Sequence, residues 1–159
     1  MDIQTADLCD AHDSTLQVLT PMFRSFGRRT CFGGPIATVK VFEDNSLVRS
    51  TLETQGNGRV LVVDGGGSLR CALVGDQLAL LGFRNGWAGI LVNGCIRDSV
   101  AIGQMDIGIM AIATNPRKSV KRGLGEQEVA VSFGDVTFTP GHHVYADPDG
   151  VVISPVPLV

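Results

Sequence analysis

The sequence predicts an α/β fold built on a mixed, partly parallel sheet, and three observations carry that prediction. Two continuous apolar runs, Val60-Leu61-Val62-Val63 and Gly89-Ile90-Leu91-Val92, lack the alternation of a half-exposed strand and suit strands covered on both faces. A segment of helical spacing precedes each run, so helices and strands alternate as in βαβ units. The C-terminal third then changes to short β-rich runs around Gly134-Asp135 and Pro148-Asp149-Gly150, which are hairpin and turn signals. No linker, internal repeat or low-complexity segment interrupts the 159 residues, so residues 1–159 are expected to form one domain.

The elements follow in order. Thr5 is expected to cap a short helix through Leu8 and Ala11. Phe23 to Gly27 reads as a loop. Ile36 to Phe42 is a β-rich run whose start is marked by Gly33-Gly34-Pro35. Asp44 or Asn45 can cap a helix carrying Leu47, Val48 and Leu52, with Gly56 and Gly58 as stops. The strand Val60 to Val63 leaves through Asp64-Gly65-Gly66-Gly67-Ser68. Asp76 is the expected N-cap of a second helix, with Leu78, Leu81 and Leu80 toward the core and Gly86 at its end. The strand ending near Val92 runs into Asn93-Gly94-Cys95-Ile96-Arg97-Asp98, followed by a short helix from Ser99 and a strand over Ile107 to Ala113. Val129 to Phe133, Val136 to Phe138 and Val151 to Ser154 complete the β-rich end.

Composition removes several classes of function. Hydrophobic residues are 44% and charged residues 18% of the chain, a globular balance far from that of a disordered chain. A net charge of −3 argues against a phosphate backbone as partner, so no direct nucleic-acid contact is expected. No apolar run is long enough to cross a bilayer. Met1-Asp2-Ile3-Gln4 has neither the basic nor the apolar region of a secretory signal. Cys9, Cys31, Cys71 and Cys95 form no C-x-x-C pair and have no histidine at zinc-finger spacing. Reduced cysteines fit a cytoplasmic address, which is the expectation here.

Three stretches are candidates for chemistry. The glycine loop from Asp64 to Arg70 can cradle an anion or simply be a tight strand exit, and the residues favour neither. It has neither the G-x-G-x-x-G nor the G-K-[ST] spacing of a phosphate loop. Gly75-Asp76-Gln77-Leu78 opens a helix whose first amides lack internal partners and can hold a carboxylate or a developing oxyanion; an ordinary aspartate cap explains it as well. Arg97-Asp98 is the strongest feature. It follows a buried strand, on the side where ligands bind in open α/β sheets. Arginine offers a planar fork for a carboxylate or enolate, and aspartate is a hard oxygen ligand for Mg²⁺. A surface ion pair at a strand end would look the same in sequence. His142-His143, the basic stretch Arg117-Lys118 with Lys121-Arg122, and His12-Asp13 read as solvated loops or lack context.

The strings Phe42-Glu43-Asp44-Asn45-Ser46-Leu47, Val62 to Arg70, Ala72 to Asp76, Phe133-Gly134-Asp135-Val136-Thr137-Phe138, Pro140-Gly141 and Tyr145-Ala146-Asp147 resemble the family named after the regulator of ribonuclease E activity A. That family also contains the class II aldolases acting on 4-hydroxy-4-methyl-2-oxoglutarate, which typically decarboxylate oxaloacetate as well. The enzymatic branch carries an aspartate, twenty intervening residues and then Arg-Asp; Asp76, Gln77 through Ile96, and Arg97-Asp98 match it without a gap. The resemblance implies that Asp98 holds a divalent cation, Mg²⁺ or Mn²⁺, partly through water. It implies that Arg97 binds the pyruvyl part of the substrate and acts in catalysis with Asp76. It also implies that Gly75, Asp76, Gln77 and Leu78 bind substrate oxygens. The regulator branch can lack the aspartate after the arginine, so Asp98 points toward chemistry.

The same resemblance implies a swivelling β/β/α sandwich and a homotrimeric ring, or a dimer of such trimers, with sites near the subunit interfaces. The expected partner is a small 2-keto acid, and the expected reaction a carbon–carbon cleavage to pyruvate. The alternative is a non-catalytic regulator that binds and inhibits ribonuclease E, with a methyltransferase a distant third. The longer aldolases of the family continue past the point where this sequence ends, at Val159.

Overall fold

The protein is described from a computed structural model covering residues 2–159. Helix α1 spans Thr5–His12 and is followed by the short strands β1 (Gln17–Val18) and β2 (Arg24–Ser25). Then come β3 (Phe32–Lys40), α2 (Ser46–Leu52), β4 (Val60–Asp64), β5 (Ala72–Val74), α3 (Asp76–Arg84), β6 (Gly89–Ile96), α4 (Ser99–Ile102) and β7 (Gly108–Thr114). The C-terminal third supplies β8 (Glu126–Gln127), β9 (Val131–Phe133), β10 (Val136–Phe138), β11 (His143–Asp147) and β12 (Gly150–Ser154).

Strands β3, β4, β6 and β7 lie side by side and parallel, while β1, β2, β8, β11 and β12 join antiparallel. The sheet is therefore mixed, as the alternation of patterns implied. Strand side chains alternate between two cores. Leu61, Val63, Ile90 and Val92 point to a core closed by Val48 and Leu52 of α2, Leu78 and Ala79 of α3 and Ile102 of α4. Val60, Val62 and Leu91 point to the other core, closed by Val131, Val136, Phe138, Val144, Val151 and Ile153. Helices cover one face and β structure the other, which is why residues 60–63 and 89–92 are apolar at every position.

Several sequence expectations shift by a few residues, each for a tertiary reason. β3 begins at Phe32, so Gly33-Gly34-Pro35 lies inside it. Its first half pairs with β11 and its second half with β4. Pro35, which has no N–H to donate, falls where the strand changes partner. Thr5 does not cap α1; Gln4 holds that position. The Thr5 hydroxyl and amide instead donate to Asp147, at 2.6 and 2.7 Å. Residues 24–25, expected as loop, form a short edge strand on β7. Leu78 is buried in the helix-side core and Leu81 packs against it, whereas Leu80 lies outside it. The 134–135 turn is the expected hairpin: Gly134 and Asp135 have φ of 59° and 63°, the conformation a type I′ turn demands.

Two constraints of this fold are open to test. Gly89 and Gly108 are register partners on β6 and β7, and the buried Phe32 ring fills the space above both, so a Cβ on either would overlap it. Gly108→Ala is expected to lower unfolding free energy by about 1–3 kcal/mol through overpacking. Combining it with Phe32→Leu in a denaturant-melt double-mutant cycle should recover part of that loss. Buried Asp44 and Asp147 each bind several donors. Burial pushes the Asp44 carboxyl up, but the Ser46 hydroxyl and the amides of Ser46, Arg122 and Leu124 outweigh it and hold it at about 2. Asp147 is likewise held below the ordinary range, burial notwithstanding, by Thr5 and the amides of Asp149 and Gly150. A lowered folded-state value means stability that is present above the unfolded value near 3.8 and lost as pH falls toward 2. Unfolding free energy should drop by about 2 kcal/mol on Asp44's account between pH 5 and pH 2, and Asp44→Asn should remove that part of the pH dependence.

Candidate functional site

The site starts from a strand pairing. β4 ends against Asn93 of β6, and the chain then leaves through the glycine loop and returns as β5 beside the last residues of β6, with Ala72 opposite Cys95 and Val74 opposite Ile96. β6 thus continues four residues past Val92. Asn93 is buried and its side-chain amide donates to Asp64 Oδ1 at 3.0 Å, which keeps the strand paired past Val92, near which the sequence pattern ends it. The consequence is that Gly75 and Arg97 leave two neighbouring parallel strands at their carboxyl ends, where α/β sheets bind ligands. The Arg97 amide closes the junction by donating to the Val74 carbonyl at 2.9 Å.

Local geometry then brings the predicted residues together. Gly75, not Asp76, is the N-cap residue of α3, and no side chain of the helix caps it. The cap comes from across the junction: Asp98 Oδ2 accepts the Asp76 amide at 3.1 Å. Asp76 is the first helical residue, where its negative charge suits the positive end of the helix. Asp98 is in the left-handed region, with φ of 58°, a conformation that aspartate tolerates better than most residues. A Cβ on Gly75 would lie 2.8 Å from Asp98 Oδ2, so glycine at 75 gives the carboxylate room to reach the helix.

Gly75, Asp76, Gln77, Leu78, Arg97 and Asp98 line one cavity of about 140 Å³. Of the remaining lining, Asn45 reads from sequence only as a possible helix cap and Lys118 and Lys121 only as part of a basic stretch, while Arg49 of α2, Ala72 of β5 and Ser119 carry no site signal. The basic stretch that reads as a solvated loop is folded onto the site. Asp44 Oδ2 accepts the Arg122 and Leu124 amides at 2.8 and 3.2 Å, the Val120 amide donates to the Glu43 carbonyl, and Ala72 forms a β-bridge with Lys118. Asp44 also receives the Ser46 amide and hydroxyl, so one buried carboxylate ties the basic segment to the start of α2.

Four cations, Arg49, Arg97, Lys118 and Lys121, thus meet two carboxylates, Asp76 and Asp98, in the cavity lining. None of the six is in an ion pair among the described residues. Such a cleft favours an anionic ligand. The two carboxylates are also its available metal donors, and no group of three or more His, Cys, Asp or Glu side chains suited to a metal occurs among the described residues. This donor set fits a cation that keeps most of its own water, as Mg²⁺ does, rather than one that needs a protein cage.

The other candidates lie elsewhere. The loop from Gly65 to Gly67 is a strand exit whose positive φ at Gly66 and Gly67 requires glycine, and Arg70 beyond it pairs with Glu43 at 2.6 Å. His143 sits in β11, its imidazole held below its ordinary value by burial and by His142. Cys71 and Cys95 are buried and their thiols pushed up by burial.

Comparison with known proteins gives a consistent picture. The family model RraA-like, described as Aldolase/RraA, matches residues 5–153. A protein of Aromatoleum aromaticum provisionally named 4-hydroxy-4-methyl-2-oxoglutarate aldolase is 64% identical over 97% of each chain. Among solved structures, one from Geobacillus kaustophilus, named S-adenosylmethionine:2-dimethylmenaquinone methyltransferase, is 54% identical with a TM-score of 0.97, over 98% of this chain and 97% of that one. The RNA-processing inhibitor RraA from Thermus thermophilis is 44% identical with a TM-score of 0.96, over 100% and 96%. The fold, the matched length and these identities place the chain in the RraA-like family of aldolases and RNA-processing regulators.

Proposed function

We propose that the chain is a divalent-metal-dependent aldolase that cleaves 4-hydroxy-4-methyl-2-oxoglutarate to two pyruvates and also decarboxylates oxaloacetate. One observation carries this reading: an arginine, two unpaired carboxylates and the start of a helix share one small cleft, in a chain whose near relatives carry the aldolase name. Both reactions break a carbon–carbon bond next to a 2-keto acid and place negative charge on the keto oxygen. Asp98, with Asp76 beside it, would hold Mg²⁺ or Mn²⁺, which supplies Lewis-acid stabilisation of that charge.

The chain's own groups do the rest. Arg97 offers its guanidinium to the pyruvyl carboxylate, held in place by a hydrogen bond to the Pro116 carbonyl at 3.4 Å. The start of α3 presents fixed partial positive charge where charge develops, through the Gln77 and Leu78 amides beside an Asp76 amide already held by Asp98. In aldol cleavage the 4-hydroxyl must lose its proton. Asp76, whose carboxylate has no hydrogen-bond partner among the described residues, is placed to hold the water that takes it. No lysine is needed as a Schiff base, so Lys118 and Lys121 serve as charge. We read the active form as a cytoplasmic homotrimer or a dimer of trimers; exposed Val100, Val120 and Leu124 support an interface close to the cleft.

A second reading, a protein that binds and inhibits ribonuclease E, is favoured by the likeness to the Thermus inhibitor and by a net charge of −3, which suits basic, RNA-associating segments. Methyl transfer finds less support. A nucleoside methyl donor calls for a largely apolar and aromatic pocket, and this cleft is lined mainly by charged and polar side chains.

Purified protein with Mg²⁺ or Mn²⁺ is expected to release pyruvate from oxaloacetate and from the hydroxy-oxoglutarate, and EDTA to stop both. Arg97→Ala should lower kcat/KM by about 10²–10³, and Asp98→Ala should abolish metal-dependent turnover. Full activity in either variant would remove that residue from the mechanism. Inactive wild-type protein that captures ribonuclease E in a pull-down would favour the second reading.

A further inference from the structure

Two residues that line the cleft each carry a buried polar atom without a partner. Asn45 Oδ1 and Ser119 Oγ are both shielded from solvent and unbonded, and both residues line the cavity. Ser119 is 6% exposed. The orientation of Asn45 is fixed, because its amide nitrogen donates to the Leu73 carbonyl at 3.1 Å, so Oδ1 is an acceptor. The hydroxyl of Ser119 can donate. Buried polar groups are seldom left unbonded, and each such group lowers stability unless a ligand satisfies it.

We infer that Asn45 and Ser119 form a subsite for the 4-hydroxyl of the substrate, with Arg49 beside them for its distal carboxylate. A hydroxyl is one donor and a two-lone-pair acceptor; Asn45 Oδ1 and the Ser119 hydroxyl match it between them as the substrate binds, and for cleavage the same proton turns from Asn45 to the water held by Asp76. Arg49 lies in α2, whose N-cap is Asn45, lines the cleft and has no ion pair among the described residues. The subsite makes Asn45, Ser119 and Arg49 the residues that select a 4-hydroxylated substrate, and it rests on the aldolase reading above. Oxaloacetate has no 4-hydroxyl, and the carboxylate it loses gains nothing from a cation that holds it. The two reactions therefore depend on this subsite to different degrees. A site built around a hydroxyl discriminates strongly against ligands lacking it, since its own polar groups then stay unpaired.

The test compares the two substrates in the full-length, metal-loaded protein. Ser119→Ala and Arg49→Met should each lower kcat/KM for 4-hydroxy-4-methyl-2-oxoglutarate about tenfold more than for oxaloacetate, and Arg49→Lys should restore part of the loss. Ser119→Ala should also melt no lower than the wild type, because it removes a buried hydroxyl that has no partner in the free protein. An equal loss on both substrates, or no loss on either, would overturn the subsite while leaving the aldolase reading standing. A melting point well below wild type would show that Ser119 is structural, and would overturn its assignment. Wild-type protein that turns over neither substrate would defeat the aldolase reading and the subsite with it.

Discussion

Everything at the site depends on β5 pairing with the far end of β6. Val74 opposite Ile96 sets two chain exits side by side, and the Arg97 amide on the Val74 carbonyl locks them. Without that pairing, Asp98 would have no reach to the Asp76 amide, and the start of α3 would face solvent rather than a shared cleft. The pairing depends in turn on the middle of β6 staying in the sheet through Asn93, whose side chain is satisfied by buried Asp64. A polar pair inside the sheet thus supports a polar site at its edge.

The twenty residues between Asp76 and Arg97 acquire a physical meaning in this frame. They hold the rest of α3 after Asp76, a turn, and the eight-residue β6, which is what one helix crossover between neighbouring parallel strands requires. Insertion or deletion inside that span would shift Arg97-Asp98 along the strand, turn alternate residues to the wrong face and part the carboxylate from the helix. The cation excess of the cleft and the small number of carboxylates point the same way, to an anionic ligand accompanied by a largely hydrated metal.

Much of this was legible in the sequence, because the signals are local. The apolar runs of β4 and β6, the helical spacing before them and the Gly134-Asp135 turn each report on their own neighbourhood. Residues 75–78 and 97–98 could be read as one site only through a family resemblance, since a lone Arg-Asp pair looks like a surface ion pair. What stayed hidden depends on distant partners. The capping role passes from Asp76 to Asp98, 22 positions away. Thr5 serves Asp147, 142 positions away. The basic stretch at 117–122 becomes cleft lining because Asp44 binds its backbone from 78 positions away. Asn45 signals only a helix cap in sequence, and Arg49 and Ser119 signal nothing beyond polarity.

The central claim is that the start of α3, Arg97 and Asp98 act as one site for a 2-keto carboxylate and its metal. Amide and arginine side-chain NMR shifts during titration with oxalate, a planar dianion resembling a pyruvate enolate, test it most directly in the presence of Mg²⁺. The account predicts that the largest changes fall on the amides of residues 75–78 and on Arg97 Nε, and that they vanish in Asp98→Ala. Shifts centred elsewhere, with these groups unmoved, would contradict it.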